Sequence, residues 1–501
     1  LAVLQAESGD SAAAFTTVER RRAHALRIAV AANDVDIHRG MTDAERDEER
    51  RLAIDLITVA AQIRNETALP HPDSARVARL NEQLASAKAA RTAARRKLFS
   101  RLPMLAVWRG LGGPADAAEA LSAVMPDAPL LAEFVVNDED ILVVMIGKSP
   151  EGTLQSDAYV AHVESRNLTD RITHALQAAS LRDADNWRSA AADLVKLFPS
   201  AAWERIAAAP RVLIVPDDVL WHVPFEALPV EGGVLGDRTA VQFIASATSL
   251  LPSRDDSRGA SGALLAVASP ELAAASKDRM IATAPDWPLR VDAAPIAESQ
   301  AVAAAAGAPE DAVVTGSSAT ETTFRERAPS ASMLHIAAPF RVNGASPLFS
   351  PILLGGDGTA TADRDGMVEA RELFDLSLHA RFAVFTDGAA LSMRAAAPAA
   401  AVVQWAWRAA GVPAIIVPRW QTAPAAATAL LEEFYKQVKE GIPIDAALQR
   451  ARAAVRANED TRAPIFWAGW MLLGPPERTE MTERAERGGV NGEKLTTEER
   501  R

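Results

Sequence analysis

No cysteine occurs in the 501 residues of this chain. That absence removes disulfides, thiolate metal sites and thiol nucleophiles together. No run approaches the roughly 18 consecutive apolar residues of a membrane helix, and the first residues hold no basic segment followed by an apolar one of the secretory kind. Positive charge is in deficit: 53 Lys and Arg stand against 65 Asp and Glu, for a net charge of −12. Such a balance favours solubility and argues against a general nucleic-acid binder. None of the eight histidines has a second at i+3 or i+4, so the helical spacing of a metal site is missing. Gly355-Gly356-Asp357-Gly358 lacks the lysine and hydroxyl of a phosphate loop and reads as a surface turn. These absences lead us to expect a cytoplasmic protein with no cofactor, no metal, no membrane partner and no nucleic acid. The start at Leu1 suggests a fragment, which leaves an upstream segment open.

With 49% hydrophobic and 24% charged residues, the chain can bury one large core and a second, smaller unit. Residues 1–112 are rich in Ala, Arg and Glu, and their apolar residues recur with helical spacing: Phe15, Val18, Ala23 and Leu26, then Leu52, Ile54, Leu56, Ile57, Ala60 and Ile63. Three long helices are predicted there, the third starting near Pro72-Asp73-Ser74 and carrying Arg76, Arg79, Lys88, Arg91, Arg95, Arg96 and Lys97. That basic face is interrupted by Glu82 and interleaves no aromatic residues for stacking on bases, so it reads as a solvated surface. Residues 113–474 form the predicted α/β part. It opens with a hairpin at 130–136 and 141–146 and a helical stretch at 168–197. From there, apolar strands at 212–215, 241–245, 263–268, 312–315, 333–338, 382–386 and 412–417 alternate with Ala-rich helices, the sign of a mostly parallel sheet. Residues 475–501 are charged and poor in apolar side chains, the composition of a disordered tail.

Two of these strands stand out by how they end. Ser332-Met333-Leu334-His335-Ile336-Ala337-Ala338-Pro339-Phe340 and Arg381-Phe382-Ala383-Val384-Phe385-Thr386-Asp387-Gly388-Ala389 are apolar runs closing in small, turn-forming residues. Parallel strands deliver active-site loops at such carboxyl ends. The segment Arg211-Val212-Leu213-Ile214-Val215-Pro216, continued by Trp221-His222-Val223-Pro224-Phe225-Glu226-Ala227-Leu228-Pro229, completes a pattern that resembles the CHAT domain. This is a caspase-like module of the caspase and separase type, found with tetratricopeptide repeats. Ala245–Leu250, Thr315–Glu321, Ala414–Trp420 and Ala463–Trp470 follow in the family's order. Phe15 to Leu26 resembles the last helix of the repeats that precede such domains.

The resemblance implies a three-layer α/β/α sandwich preceded by a helical, repeat-end or coiled-coil-like region. It also implies a cysteine endopeptidase whose general-base histidine and nucleophilic cysteine end the two strands. Here those slots hold Pro339 and Gly388. Neither residue transfers a proton or attacks a carbonyl, so the family's chemistry is expected to be absent. The candidate cleft around the slots comprises His335, Thr386, Asp387 and Trp420, with Ser392 a further hydroxyl. A rewired hydrolase would need one of these hydroxyls beside His335, His379 or His222. His335 reads as a core residue, His379 as a loop residue and His222 as packing beside Trp221. Trp405, Trp407, Trp420, Trp467 and Trp470 read chiefly as core. The reading is a pseudoprotease that binds a protein or peptide partner, aided by repeats upstream. Its alternatives are a CHAT peptidase with a displaced non-cysteine nucleophile and a structural cap of an upstream repeat array. Peptide binding requires open strand edges near 337–346 and 386–395, whereas a cap requires a filled cleft.

Overall fold

The computed structural model describes residues 1–32, 37–38, 40–109, 129–148, 153–177, 181–250, 263–272, 278, 294–356, 364–386, 388–389 and 398–477. Two compact units emerge, Val30–Gly113 and a larger one formed by Leu1–Ala29 with Pro114–Arg501. Helices α1 (Ala2–Glu7) and α2 (Ser11–Ala32) open the chain, followed by α3 (Asp43–Thr67), α4 (Ser74–Arg101) and α5 (Pro103–Trp108).

In the smaller unit, α3 and α4 form an antiparallel hairpin. Thr42 caps α3 in a reciprocal pairing with Glu45, and the Asp73 carboxylate accepts from the amides of Ala75 and Arg76 to start α4. Ion pairs tie the two helices near both ends: Glu66 meets Arg76 at 3.2 Å, and Glu45 pairs with Arg101. Arg109, just beyond α5, reaches Glu49 at 2.8 Å.

The larger unit holds strands β1 (Leu130–Val136), β2 (Asp140–Lys148), β3 (Leu154–His162) and β4 (Arg211–Val215). A short hairpin of β5 (Pro229–Val230) and β6 (Gly233–Val234) follows, then β7 (Ala240–Phe243), β8 (Leu264–Pro270), β9 (Val313–Gly316) and β10 (Met333–Ala337). Next come β11 (Phe340–Arg341), β12 (Pro351–Leu353), β13 (Met367–Glu369), β14 (Phe382–Phe385), β15 (Gly388–Ala389), β16 (Ala414–Pro418) and β17 (Trp470–Leu473). Eleven of these form one sheet in the order β3-β2-β1-β4-β7-β17-β16-β14-β10-β8-β9. Parallel pairing joins β1, β4, β7 and β17, and joins β16, β14, β10, β8 and β9. Because β16 and β17 pair antiparallel, the two parallel blocks run in opposite senses. A second sheet, β13-β12-β11-β15, continues from the ends of β10 and β14.

Helices α6 (Ser165–Ala175), α7 (Ala184–Val195), α8 (Ser200–Ala208), α9 (Ala294–Ala306), α10 (Glu321–Arg327), α11 (Pro398–Ala410), α12 (Pro424–Lys439), α13 (Ile444–Ala457) and α14 (Pro464–Trp467) complete the larger unit. Strand alternation assigns the layers. Phe382 of β14 lies 5.5 Å from Phe434 on α12, whereas Phe385 lies 5.3 Å from Trp407 on α11, centroid to centroid. Helices therefore cover both faces of the block, the sandwich expected from the sequence. Strands β3 and β17 of the large sheet are additions to the predicted set, as are the short strands of the two smaller sheets. A polar sequence disguises β3, an edge strand, and β17 runs against its neighbour β16.

Within the larger unit, the amino-terminal part of α2 packs on the sheet. Ala14, Phe15 and Val18 of α2 share a core with Leu131 and Val135 of β1, Leu142 and Val144 of β2, and Leu213 and Val215 of β4. A polar seam reinforces that core. Arg22 donates to Glu133 at 2.6 Å and to the Phe134 and Pro216 carbonyls, while Glu19 accepts from the amides of Ala247 and Thr248. Arg21 meets Asp217 at 2.7 Å. Burial and the neighbouring Glu19 push the Glu133 carboxyl well above its usual range, and Arg22 opposes them. The expected tail lies outside the described residues beyond 477. Because one partner of a buried pair is costlier to remove than both, Arg22→Met should lower stability to urea by about 3 kcal/mol. Arg22→Met with Glu133→Leu should recover at least half of that loss; no recovery would mean that Arg22 acts mainly through the two carbonyls.

Candidate functional site

The two slots meet where the large sheet passes into the small one. Strands β10 and β14 are parallel neighbours in register, His335 opposite Val384 and Ile336 opposite Phe385. Beyond their ends the Thr386 amide donates to the Ile336 carbonyl at 3.1 Å. Pairing resumes with Phe340 opposite Gly388 and Arg341 opposite Ala389. Pro339 directly precedes Phe340, so the chain sets both slots side by side. The Phe340 ring is buried and lies 4.5 Å from Phe385. The Pro339 carbonyl accepts from the Leu353 amide at 2.9 Å.

Strand β11 pairs with β15 on one side and β12 on the other. The expectation of an open strand edge within 337–346 is corrected for Phe340–Arg341, where both edges are occupied. Within 386–395, Gly388–Ala389 are paired; Asp387, 390–395 and therefore Ser392 lie outside the described residues. Gly355, read as part of a surface turn, is buried and bridges Leu272 and Thr320. A side chain there would come within 3.2 Å of the Ala319 and Glu271 carbonyl oxygens.

His335 is removed from the cleft by strand geometry. It lies four residues before Pro339, roughly 13 Å of extended chain, and is fully buried. Its Nε2 lies 3.3 Å from Glu298 on α9 and its Nδ1 3.3 Å from the Tyr435 hydroxyl on α12. Burial, with Glu298 nearby, pushes the Tyr435 hydroxyl well above its usual range. His379 precedes β14 and so lies at the amino end of that strand, away from Gly388. Thr386 is half-buried at the strand end, the described hydroxyl nearest the slots in sequence.

Strand β16, the other neighbour of β14, leads at its carboxyl end into Arg419 and Trp420. Trp420 is half-buried and donates from Nε1 to the Ile465 carbonyl at 3.0 Å, which makes it a clamp on α14. Trp405, Trp407, Trp467 and Trp470 are core residues. Arg419 Nη1 donates to Glu226 Oε1 at 2.8 Å, and Arg452 of α13 reaches the same oxygen at 3.2 Å. The three side chains are buried, and the Arg419 guanidinium lies over the Phe243 ring at 4.8 Å. Burial pulls both guanidinium pKa values down against the pull of Glu226 upward. The only sequence signal for this cluster was an acid inside the apolar segment Val223–Leu228. Its arginine partners lie far along the chain.

Burial, and then the field of Arg419, pull the buried His222 imidazole down to about 4. An unfolded-chain histidine takes up its proton near 6.5, so this residue's contribution to stability is complete above pH 6.5 and lost as pH falls toward 4. His222→Gln should flatten the fall in melting temperature between those limits. An unchanged slope would assign the acid sensitivity to carboxylates.

A family model described as CHAT domain matches residues 165–475. Tetratricopeptide repeat protein 28 of Homo sapiens is 26% identical over 122 residues, 24% of this chain and 5% of that protein. Its Mus musculus counterpart is 27% identical over 111 residues, 22% of this chain and 4% of that protein. The chain thus spans a small part of the curated relatives it matches. Among solved structures, the Saccharomyces cerevisiae separase–securin complex is 9% identical and covers 79% of this chain and 34% of its own, with a TM-score of 0.40. The Arg-specific cysteine proteinase gingipain R is 13% identical over 62% of this chain and 75% of its own, with a TM-score of 0.34.

Proposed function

This chain belongs to the CHAT domain family, and we propose that it has given up peptide cleavage and acts by binding protein, as a scaffold or regulator. The observation that supports this reading is the pairing of Phe340, which follows Pro339, with Gly388; neither position 339 nor position 388 offers an imidazole or a thiol. Cysteine-type cleavage needs both groups in reach of one carbonyl. A hydroxyl at Thr386 would need a base, and His335 is engaged with Glu298 and Tyr435 inside the sandwich.

Occupation of both edges of β11 moves the expected partner from an extended peptide in the old groove to a folded protein surface. The same observation favours a second reading, a structural unit closing an upstream repeat array. The division into a helical region at 1–112, a CHAT domain at 113–474 and a tail at 475–501 is retained as a family-based proposal, with Leu1–Ala29 packed into the domain core.

The test is incubation of the purified chain with a randomised peptide pool, followed by mass spectrometry of new termini. The reading predicts none, from the unmodified chain or from Thr386→Val. New termini from the unmodified chain that vanish in Thr386→Val would overturn it and assign a hydroxyl nucleophile.

A further inference from the structure

Strand β3 closes one end of the large sheet, and its nine residues pair on one side with β2. The phase of that pairing follows from two hydrogen bonds. The Asn137 amide donates to the Asp140 carbonyl at 3.0 Å, which turns the main chain of Asp140 and of the even-numbered residues after it toward β1. The Val163 amide donates to the Glu139 carbonyl at 2.8 Å, so the odd-numbered residues of β2 are turned toward β3. Val143 stands opposite Tyr159 in an unbroken register. Gln155, Asp157, Tyr159 and Ala161 therefore aim their amides and carbonyls at β2, whereas Leu154, Ser156, Ala158, Val160 and His162 aim theirs outward. The Ser156 carbonyl accepts from the Ser11 hydroxyl of α2 at 2.9 Å, which agrees with the outward phase and leaves it a second lone pair. Among the described residues, no strand pairs with this outer edge.

Sheets blunt an exposed edge by shortness, lysine, proline or a bulge. Strand β3 has none of these. Its carboxylate, Asp157, is paired with Arg205 of α8, whose guanidinium also donates to the Tyr159 hydroxyl at 3.2 Å. The edge is complementary to itself. In an antiparallel pair outward residues face outward residues, and a two-fold axis through Ala158 overlaps all nine positions. Leu154, 39% exposed, then faces His162 of the second copy, Ser156 faces Val160 of the second copy, and Asp157 faces Tyr159 of the second copy. No like charges oppose each other, whereas moving the axis to Asp157 would set two carboxylates face to face. About ten main-chain hydrogen bonds would form. We propose that β3 is a dimerisation edge, to which a second copy of this chain adds its own β3 antiparallel, making one continuous sheet. The edge lies seven strands from β14, roughly 34 Å across the sheet, so the inference stands apart from the loss of catalysis.

Sedimentation of the purified full chain should give, as concentration rises, a mass approaching that of two chains. Ala158→Pro deletes an amide that points outward and leaves the hydrogen bonds to β2 in place. It should weaken association at least about tenfold with circular dichroism unchanged. Because the parent chain has no cysteine, introduced thiols report the register. Under mild oxidation Ala158→Cys should cross-link two copies, since the residue meets its own counterpart on the axis within disulfide reach. Leu154→Cys alone should not, its two copies standing roughly 26 Å apart, whereas Leu154→Cys combined with His162→Cys should. A monomer at every concentration, a dimer that Ala158→Pro leaves as tight, or cross-linking through Leu154→Cys alone would overturn the proposal. So would a monomer that instead binds extended peptides from a randomised pool and loses them in Ala158→Pro, which would assign the edge to a foreign strand.

Discussion

In-register parallel pairing between β10 and β14 is the constraint on which the rest of the site depends. Register fixes which residues face each other beyond the strands, and here it carries through the Thr386–Ile336 hydrogen bond into the pairing of β11 with β15. Whatever stands at positions 339 and 388 must therefore meet. The fold does not require reactive side chains there. Of the Pro339 backbone it uses the carbonyl, which proline retains, and at Gly388 the strand pairing involves only the main chain. Proline and glycine at these two places are compatible with the Phe340–Phe385 contact and the layers beneath.

Around that frame the sandwich is fastened by buried polar groups drawn from distant segments. Glu226 bridges Arg419 and Arg452, Glu133 holds Arg22, and His335 stands between Glu298 and Tyr435. Buried charges are tolerated in such company because each partner offsets the other's lost hydration, and one left alone would be strongly destabilising. Arg22 and Glu226 each tie a loop or helix to a strand end, at opposite senses of the sheet.

The parallel strands were legible because they are buried on both faces and read as unbroken apolar runs, as at Val212–Val215 and Phe382–Phe385. β3 was hidden by Gln155, Ser156 and Asp157, polar residues that an edge strand accommodates and that periodicity does not distinguish from a loop. Periodicity also gave the buried face of α2, with Phe15 and Val18, but not the strands it packs against, which lie more than a hundred residues away. At the site, Pro339 and Gly388 could be placed at the ends of two neighbouring strands from their apolar runs. The burial of His335 was legible from its place inside an apolar strand, but its partners Glu298 and Tyr435 and the double pairing of β11 were not, because they are brought in by tertiary structure.

The most direct measurement of the central claim is the thiol pKa of Gly388→Cys, alone and combined with Pro339→His, read from the pH dependence of alkylation. The parent chain contains no cysteine, so the introduced thiol reports alone. If the register sets the two positions together, the histidine should lower the thiol pKa by about one unit or more and speed alkylation near neutral pH. Identical titrations in the two variants would show that the slots do not face each other, and would contradict the account.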